Sequence, residues 1–348
     1  MRVLIIKTSS LGDIIHALPV LDFLHKASPG IEIGWAVEEQ FGDLLEGNPL
    51  ISKLHIIRTR TWRKQPFSPA TRYEVIKLRR EISHPPYDIV FDLQGNLKSG
   101  LIGLLSGVKR RIGFPIQRLQ EKINALFTTE KAPFSELDNH AALRCLNIVN
   151  VPFGISYREM TFVSDIYTSP EDRASIATIL ENLPDGPKLL FHCGTTWQTK
   201  FWLTEGWCEL GRLLLERYPQ ATILFTWGNE REKEEAEAIA TCMGERTKVL
   251  ERYPLKRLAD LLKQVDLVIG ADTGPVHLAA AVGTPTVSFY RSSDGSESGP
   301  RGKRHAIVQA PMKCTRCFKT SCDRDDECRH SIAPVSLFNA AIQVLPHE

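Results

Sequence analysis

Four polar stretches, each directly after an apolar run, hold the side chains of this 348-residue chain that have the types and spacing for chemistry. The first is Lys7-Thr8-Ser9-Ser10-Leu11-Gly12-Asp13. A carboxylate at Asp13 sits where α/β enzymes do chemistry, in a turn that follows a strand, so the turn is a candidate site. The plainer alternative is that Ser9 or Ser10 caps a helix and Asp13 is an ordinary acid near its positive end. The second stretch is His192-Cys193-Gly194-Thr195-Thr196-Trp197-Gln198-Thr199-Lys200. Thr195 and Thr196 offer hydroxyls and Lys200 a mobile cation, the equipment that neutralises a departing diphosphate. The third, Asp272-Thr273-Gly274-Pro275-Val276-His277, breaks an apolar strand into Asp-Thr-Gly-Pro and then a helix. Backbone amides at Thr273 and Gly274 are free at such a start, and the helix dipole adds about half a positive charge, so a phosphate fits there. Gly274 admits close approach and Pro275 starts the helix without wasting a donor. Asp272 orients the loop or a bound hydroxyl, or it is a plain N-cap; His277 reaches the phosphate or packs in the core. The fourth, Thr226-Trp227-Gly228-Asn229-Glu230, pairs a ring with a carboxylate, which suits a base and a ribose diol unless Trp227 belongs to the core.

Two familiar phosphate motifs are absent. No G-x-G-x-x-G follows the first apolar run, and no G-x-x-x-x-G-K-[ST] occurs anywhere, so any nucleotide is held without a dinucleotide fingerprint or a P-loop. Cys314, Cys317, Cys322 and Cys328 form a C-x2-C-x4-C-x5-C cluster. A structural metal site or free thiols are the two readings, ahead of disulfides, because no export signal is recognised. Cys145, Cys193, Cys208 and Cys242 are scattered in apolar contexts and are expected as buried thiols.

These residues need elements to position them. Apolar strand-like runs at 3–6, 31–37, 54–57, 89–93 and 111–114 alternate with helix-length segments, and the alternation restarts at 188–192, 222–227, 267–271 and 286–290. That is the pattern of βαβ units and parallel sheets. The class is α/β, with two Rossmann-like doubly wound domains expected at 1–166 and 167–333 and a C-terminal helix within 334–348. The linker is placed near 164–170, ahead of a helix opened by Pro170, Glu171 and Asp172. Strand ends in such sheets aim their following turns at the ligand crevice. Residues 61–71 are expected as a basic, aromatic loop.

The formal charge of +2 hides an uneven distribution. From Lys53 to Arg80 there are nine Lys or Arg against one acid, Glu74, and a second basic segment holds Lys98, Lys109, Arg110, Arg111, Arg118 and Lys122. The first half therefore suits an anionic partner such as phosphate, carboxylate or a membrane surface. No apolar run approaches the roughly 20 residues that span a bilayer, and the N-terminal apolar run, cut by Lys7 and Asp13, is read as no signal peptide.

Together, the opening MRVLIIKTSSLGDIIHALPVL, the segment Arg60-Thr61-Trp62-Arg63-Lys64, the phrase Asp92-Leu93-Gln94-Gly95-Asn96-Leu97-Lys98-Ser99, Lys200-Phe201-Trp202 and Asp272-Thr273-Gly274-Pro275-Val276-His277 resemble the ADP-heptose:lipopolysaccharide heptosyltransferases. The nearest branch is the one that adds the first heptose to Kdo. The resemblance implies a GT-B fold, two Rossmann-like domains facing across a cleft, and an inverting transfer from ADP-heptose to Kdo-lipid A that needs no catalytic cofactor. It places the catalytic base at Asp13, with Lys200 assisting the leaving group. Donor contacts are implied at Thr195, Thr196, Lys200, Glu230, Asp272, Thr273, Gly274 and His277. Acceptor contacts are implied at Ser10, Gly12, Arg60, Arg63, Lys64 and Lys98. Relatives carry C-terminal cysteines, some as an iron-binding finger, so structural zinc or iron at the four-cysteine cluster is a further expectation. The implied setting is the cytoplasm, peripheral on the inner membrane, with no nucleic-acid partner. The rivals are another branch of the family, with a different sugar or acceptor, and a non-catalytic protein that binds anionic glycolipid.

Overall fold

The computed structural model describes residues 1–345; the end of the expected C-terminal helix, 346–348, lies outside the described residues. The chain divides into two compact units, Met1–Tyr167 and a second beginning at Thr168. In the first unit the strands are β1 (Arg2–Ile6), β2 (Glu32–Glu38), β3 (Lys53–Ile57), β4 (Ile89–Asp92), β5 (Arg110–Gly113) and β6 (Glu130–Lys131), in the order β3-β2-β1-β4-β5-β6. Every pairing is parallel. β1 reads Arg-Val-Leu-Ile-Ile and is buried from Val3 on, as expected of a parallel strand covered on both faces by helices.

The second unit repeats the plan on its own core. Its strands are β7 (Lys188–His192), β8 (Thr222–Phe225), β9 (Thr247–Val249), β10 (Leu267–Ala271), β11 (Thr286–Tyr290) and β12 (His305–Gln309), in the order β12-β11-β10-β7-β8-β9, again all parallel. Phe191, Trp202, Trp207, Phe225 and Phe289 fill the middle of this core. The helix Pro170–Glu181 opens as expected, with the Ser169 hydroxyl accepting from the Asp172 amide at 3.0 Å. The final helix, Pro334–Val344, packs on the helix Thr204–Arg217 and on β12.

Each sheet has the doubly wound order in which the first and fourth strands of the unit lie side by side. Connections leave these two strands in opposite directions, and a crevice opens at their carboxyl ends. The turns after β1 and β4 meet there in the first unit, and those after β7 and β10 in the second.

Two expectations are corrected. Residues 61–71 are not one loop: a short helix, Thr59–Lys64, carries Trp62, Arg63 and Lys64, and a second helix runs over Pro69–Ser83. Cys208 and Cys242, expected as separate buried thiols, are joined in a disulfide linking the helices Thr204–Arg217 and Glu230–Met243.

Candidate active site

In the first unit the chain leaves β1 at Ile6, turns through Lys7–Ser10 and enters the helix Leu11–Ala17 with Ser10 as N-cap. Asp13 Oδ2 accepts from the Ser10 amide at 3.0 Å and from its hydroxyl at 2.8 Å, while Lys7 Nζ lies 3.3 Å from Oδ1. Asp13 thus closes a helix start, the plainer of its two readings. Yet its side chain is 47 % exposed, whereas that of Lys7 is 6 % exposed. Burial pushes this carboxyl up, but the Lys7 ammonium and the Ser10 donors outweigh it and hold it below the usual carboxylate range. The result is an ionised, accessible carboxylate at a sheet switch point, able to accept a proton.

The turn that carries it is fixed from the neighbouring strand. Gln94 Oε1 accepts from the Thr8 amide at 2.9 Å, the Ser9 amide at 3.0 Å and the Thr8 hydroxyl at 3.2 Å. Gln94 is set in turn by buried Asp92, whose Oδ1 accepts from the Gln94 and Gly95 amides at 3.0 and 2.9 Å. Gly95 takes φ +74°, a left-handed conformation that favours glycine. Asp92 Oδ2 accepts from Ser99 Oγ and Asn124 Nδ2. Burial, only partly offset by these donors, raises the Asp92 carboxyl above its ordinary value.

The basic residues of this unit divide into two groups. Arg60, Arg63 and Lys64 stand exposed on the helix Thr59–Lys64 with no ion-pair partner among the described residues. Lys98 does have partners, lying 3.0 Å from Glu38 Oε1 and 3.3 Å from Thr59 Oγ1. Glu38 also accepts from the Thr59 amide and hydroxyl. Glu74 takes the Trp62 indole N–H at 2.7 Å and Arg58 at 2.9 Å. These acids fix the helix at its start and at Trp62, and Arg60, Arg63 and Lys64 stay exposed.

In the second unit Asp272 is central. Its Oδ2 lies 2.6 Å from Lys200 Nζ, and its Oδ1 lies 3.0 Å from His277 Nε2 and 3.3 Å from Ser298 Oγ. Burial acts to raise this carboxyl, but His277 and Lys200 prevail and hold it far below the ordinary range. Lys200, expected to be mobile, is anchored: its ammonium also donates to the Asp272 carbonyl at 3.2 Å and sits 4.7 Å from the centre of the Trp197 ring. The N-cap of the helix Gly274–Ala281 is Thr273, which removes the N-cap reading of Asp272, and no side chain caps the helix start. The buried Thr273 hydroxyl has no partner among the described residues. Free amides, an unpartnered hydroxyl and an adjacent ammonium are groups that can bind a diphosphate.

Thr195 is half-buried, and Thr196 and Glu230 are exposed at the ends of β7 and β8. His277 is buried and directed at Asp272, so it acts on the loop. Trp227 is half-buried and donates its indole N–H to the Leu250 carbonyl at 2.7 Å, which fixes its ring beside the β8 turn. That turn is organised by Glu232, which accepts from the Gly228 amide at 2.7 Å and from Asn229 Nδ2 at 2.8 Å. Glu232 packs so closely on Gly194 that a Cβ there would lie 2.4 Å from its carboxyl, so the turns after β7 and β8 support one another. Lys7, Gln94 and Glu232 were given no role from the sequence: Gln94 and Glu232 act through backbone amides, and nothing local aims the Lys7 ammonium at Asp13.

The expected four-thiolate site is not assembled. Among the described residues no group of three or more His, Cys, Asp or Glu is placed to share a metal ion. Cys314 and Cys317 are exposed, and Cys322 and Cys328 half-buried. The segment is shaped by other contacts: Arg291 pairs with Asp325 at 2.6 Å, Asp325 with Arg329 at 2.7 Å, and the Phe318 amide donates to the Ser292 carbonyl at 2.7 Å.

The model of glycosyltransferase family 9 (heptosyltransferase) matches residues 75–326. The lipopolysaccharide heptosyltransferase 1 of Pseudomonas aeruginosa is 31 % identical over 326 residues, 92 % of this chain and 87 % of that protein. The protein of the same name from Escherichia coli K12 is 32 % identical over 320 residues, 90 % and 95 % of the two chains. Among solved structures, E. coli heptosyltransferase WaaC with ADP-2-deoxy-2-fluoro heptose matches with a TM-score of 0.72 at 30 % identity, covering 92 % of this chain and 95 % of that one.

Proposed function

The chain belongs to glycosyltransferase family 9, and from that premise we propose that it transfers L-glycero-D-manno-heptose from ADP-heptose to a Kdo hydroxyl of Kdo-lipid A. The transfer inverts the anomeric centre and takes place on the cytoplasmic face of the inner membrane, where the enzyme is peripheral. The reading is carried by the Lys200–Asp272–Thr273 arrangement, a diphosphate-type site built without either familiar phosphate motif. The names of the relatives support the sugar and the acceptor class.

In this mechanism Asp13 accepts the proton of the Kdo hydroxyl as its oxygen attacks the anomeric carbon. The bond from that carbon to the β-phosphate oxygen breaks, and its electron pair leaves with ADP. Charge grows on the departing oxygen, where Lys200, the Thr273 hydroxyl and the free amides from Gly274 onward stabilise it. Thr195 and Thr196 add hydroxyls, and Glu230 holds the ribose. Asp272 and His277 position Lys200 and the loop. Arg60, Arg63 and Lys64 meet carboxylates and phosphates of the acceptor, joined by Lys98, Ser10 and Gly12.

Incubation with ADP-heptose and Kdo-lipid A, followed by mass spectrometry, should show acceptor carrying one added heptose and free ADP. Extension only of an acceptor that already bears heptose would assign the chain to another branch of the family. Binding of the acceptor with no transfer to either acceptor would favour the non-catalytic reading.

A further inference from the structure

The helix Leu97–Leu105 buries one side and leaves an apolar stripe on the other. Leu97, Leu101 and Leu104 are 39, 45 and 51 % exposed, at the i, i+4, i+7 spacing that lines one helix face. The other side is buried at Ser99, Gly100, Ile102 and Gly103. The segment that follows β5 lies alongside: the Leu97 amide donates to Glu121 Oε2 at 2.8 Å, and a Cβ on Gly100 would lie 2.7 Å from the Phe127 ring. That segment adds Ile123 and Leu126, the latter 81 % exposed. Five large aliphatic side chains in one neighbourhood form a patch of the kind that marks an interaction site.

We propose that this stripe is the surface through which the protein docks on an anionic lipid bilayer. Charge decides the occupant. Residues 97–126 hold six Lys or Arg against one acid, Glu121; Lys98 and Arg110 pair with Glu38 and Glu130, while Lys109 and Lys122 are exposed. A second copy brought onto the face would set like charges against each other, whereas anionic headgroups attract them while the leucines enter the acyl boundary. No helix among the described residues is long and apolar enough to cross a membrane, so an attachment by this unit would use a surface. The placement also serves the chemistry. The stripe begins at Leu97, next to Lys98, so lipid contacted there lies beside the acceptor-binding cations. This inference rests on the proposal that the acceptor is lipid-linked.

The test is flotation of the full chain with vesicles of phosphatidylcholine alone or with phosphatidylglycerol, alongside turnover on a deacylated, water-soluble acceptor. The wild-type chain should float with the anionic vesicles and be released by salt. Leu101→Asp combined with Leu104→Asp should lower that binding at least tenfold while turnover on the soluble acceptor stays unchanged, which also shows that the variant is folded. Lys109→Glu with Lys122→Glu, confined to exposed positions, should weaken binding without touching the leucines. Unchanged flotation of both variants would overturn the proposal. So would a wild-type chain that ignores vesicles but forms a dimer abolished by the leucine changes. Absence of transfer by every protein tested would count against the proposed function and leave the vesicle result standing.

Discussion

Asp13 fills two roles with one carboxylate: Oδ2 closes the helix start through Ser10, and Oδ1 meets Lys7. Asp13→Ala should abolish transfer while leaving ADP binding nearly intact. Calorimetry that showed nucleotide affinity falling in step with rate would remove Asp13 as the base. The ion pair with Lys7 predicts a pH profile. The wild-type carboxyl lies below its ordinary value near 3.8, so it is ionised across the neutral range and its acid limb in kcat/KM falls below about pH 4. Replacing Lys7 by Met keeps the buried volume but removes the main opponent of desolvation. The Asp13 pKa then rises, and the acid limb should move to higher pH; an unmoved limb would separate Lys7 from Asp13. Asp13, Lys200 and Asp272 were legible in the sequence because each follows an apolar strand. Lys7 was quoted in the opening segment but given no role, since nothing in the sequence aims its ammonium at Asp13.

At the scale of elements, both candidate sites are pairs of turns at a switch point, and each pair has its own clamp. Gln94 joins the turns after β1 and β4 through three donors to one oxygen. Gln94→Leu should leave the fold and ADP affinity intact but lower kcat on the order of 100-fold, the cost of about an ångström of misplacement at a reacting group. Gln94→Glu, which keeps the accepting oxygen, should recover part of the loss. Lys200 joins the turns after β7 and β10 through Asp272, and there stability is at stake. Asp272→Asn leaves a nearly buried ammonium with a neutral partner and should cost about 3 kcal/mol at pH 7 in denaturant unfolding. Because the folded carboxyl is depressed, the wild-type advantage is fully present above the unfolded value near 4 and shrinks as pH falls below it. A gap that held constant from pH 7 to pH 3 would contradict the ion-pair account. The helix Thr59–Lys64 shows what sequence could not reveal. Six residues are too few to be helical alone, and this segment is ordered by Glu38 and Glu74, acids outside it in the chain.

For the whole molecule, the strand alternation in the sequence was enough to foresee two parallel α/β sheets, while β6, β9 and β12 went unread. β6 and β9 have two and three residues, and β12 is a half-exposed edge strand, so none offers the long apolar run that betrays a central strand. The disulfide between Cys208 and Cys242 was hidden for a related reason: its cysteines are 34 residues apart, on two helices whose packing no local pattern encodes. The basic excess, by contrast, was visible at once and falls in the first unit, while the diphosphate-type turn falls in the second. Each unit has its own sheet and its own switch point, so the two ligands should leave separate footprints in hydrogen exchange. ADP alone should protect amides at 193–200 and 272–278, where the helix start and the Lys200 turn would hold the diphosphate. A soluble acceptor alone should protect 7–13 and 58–64, the Asp13 turn and the cationic helix. Protection of the first unit by ADP to the same degree as the second would show that nucleotide binding is not a property of one sheet.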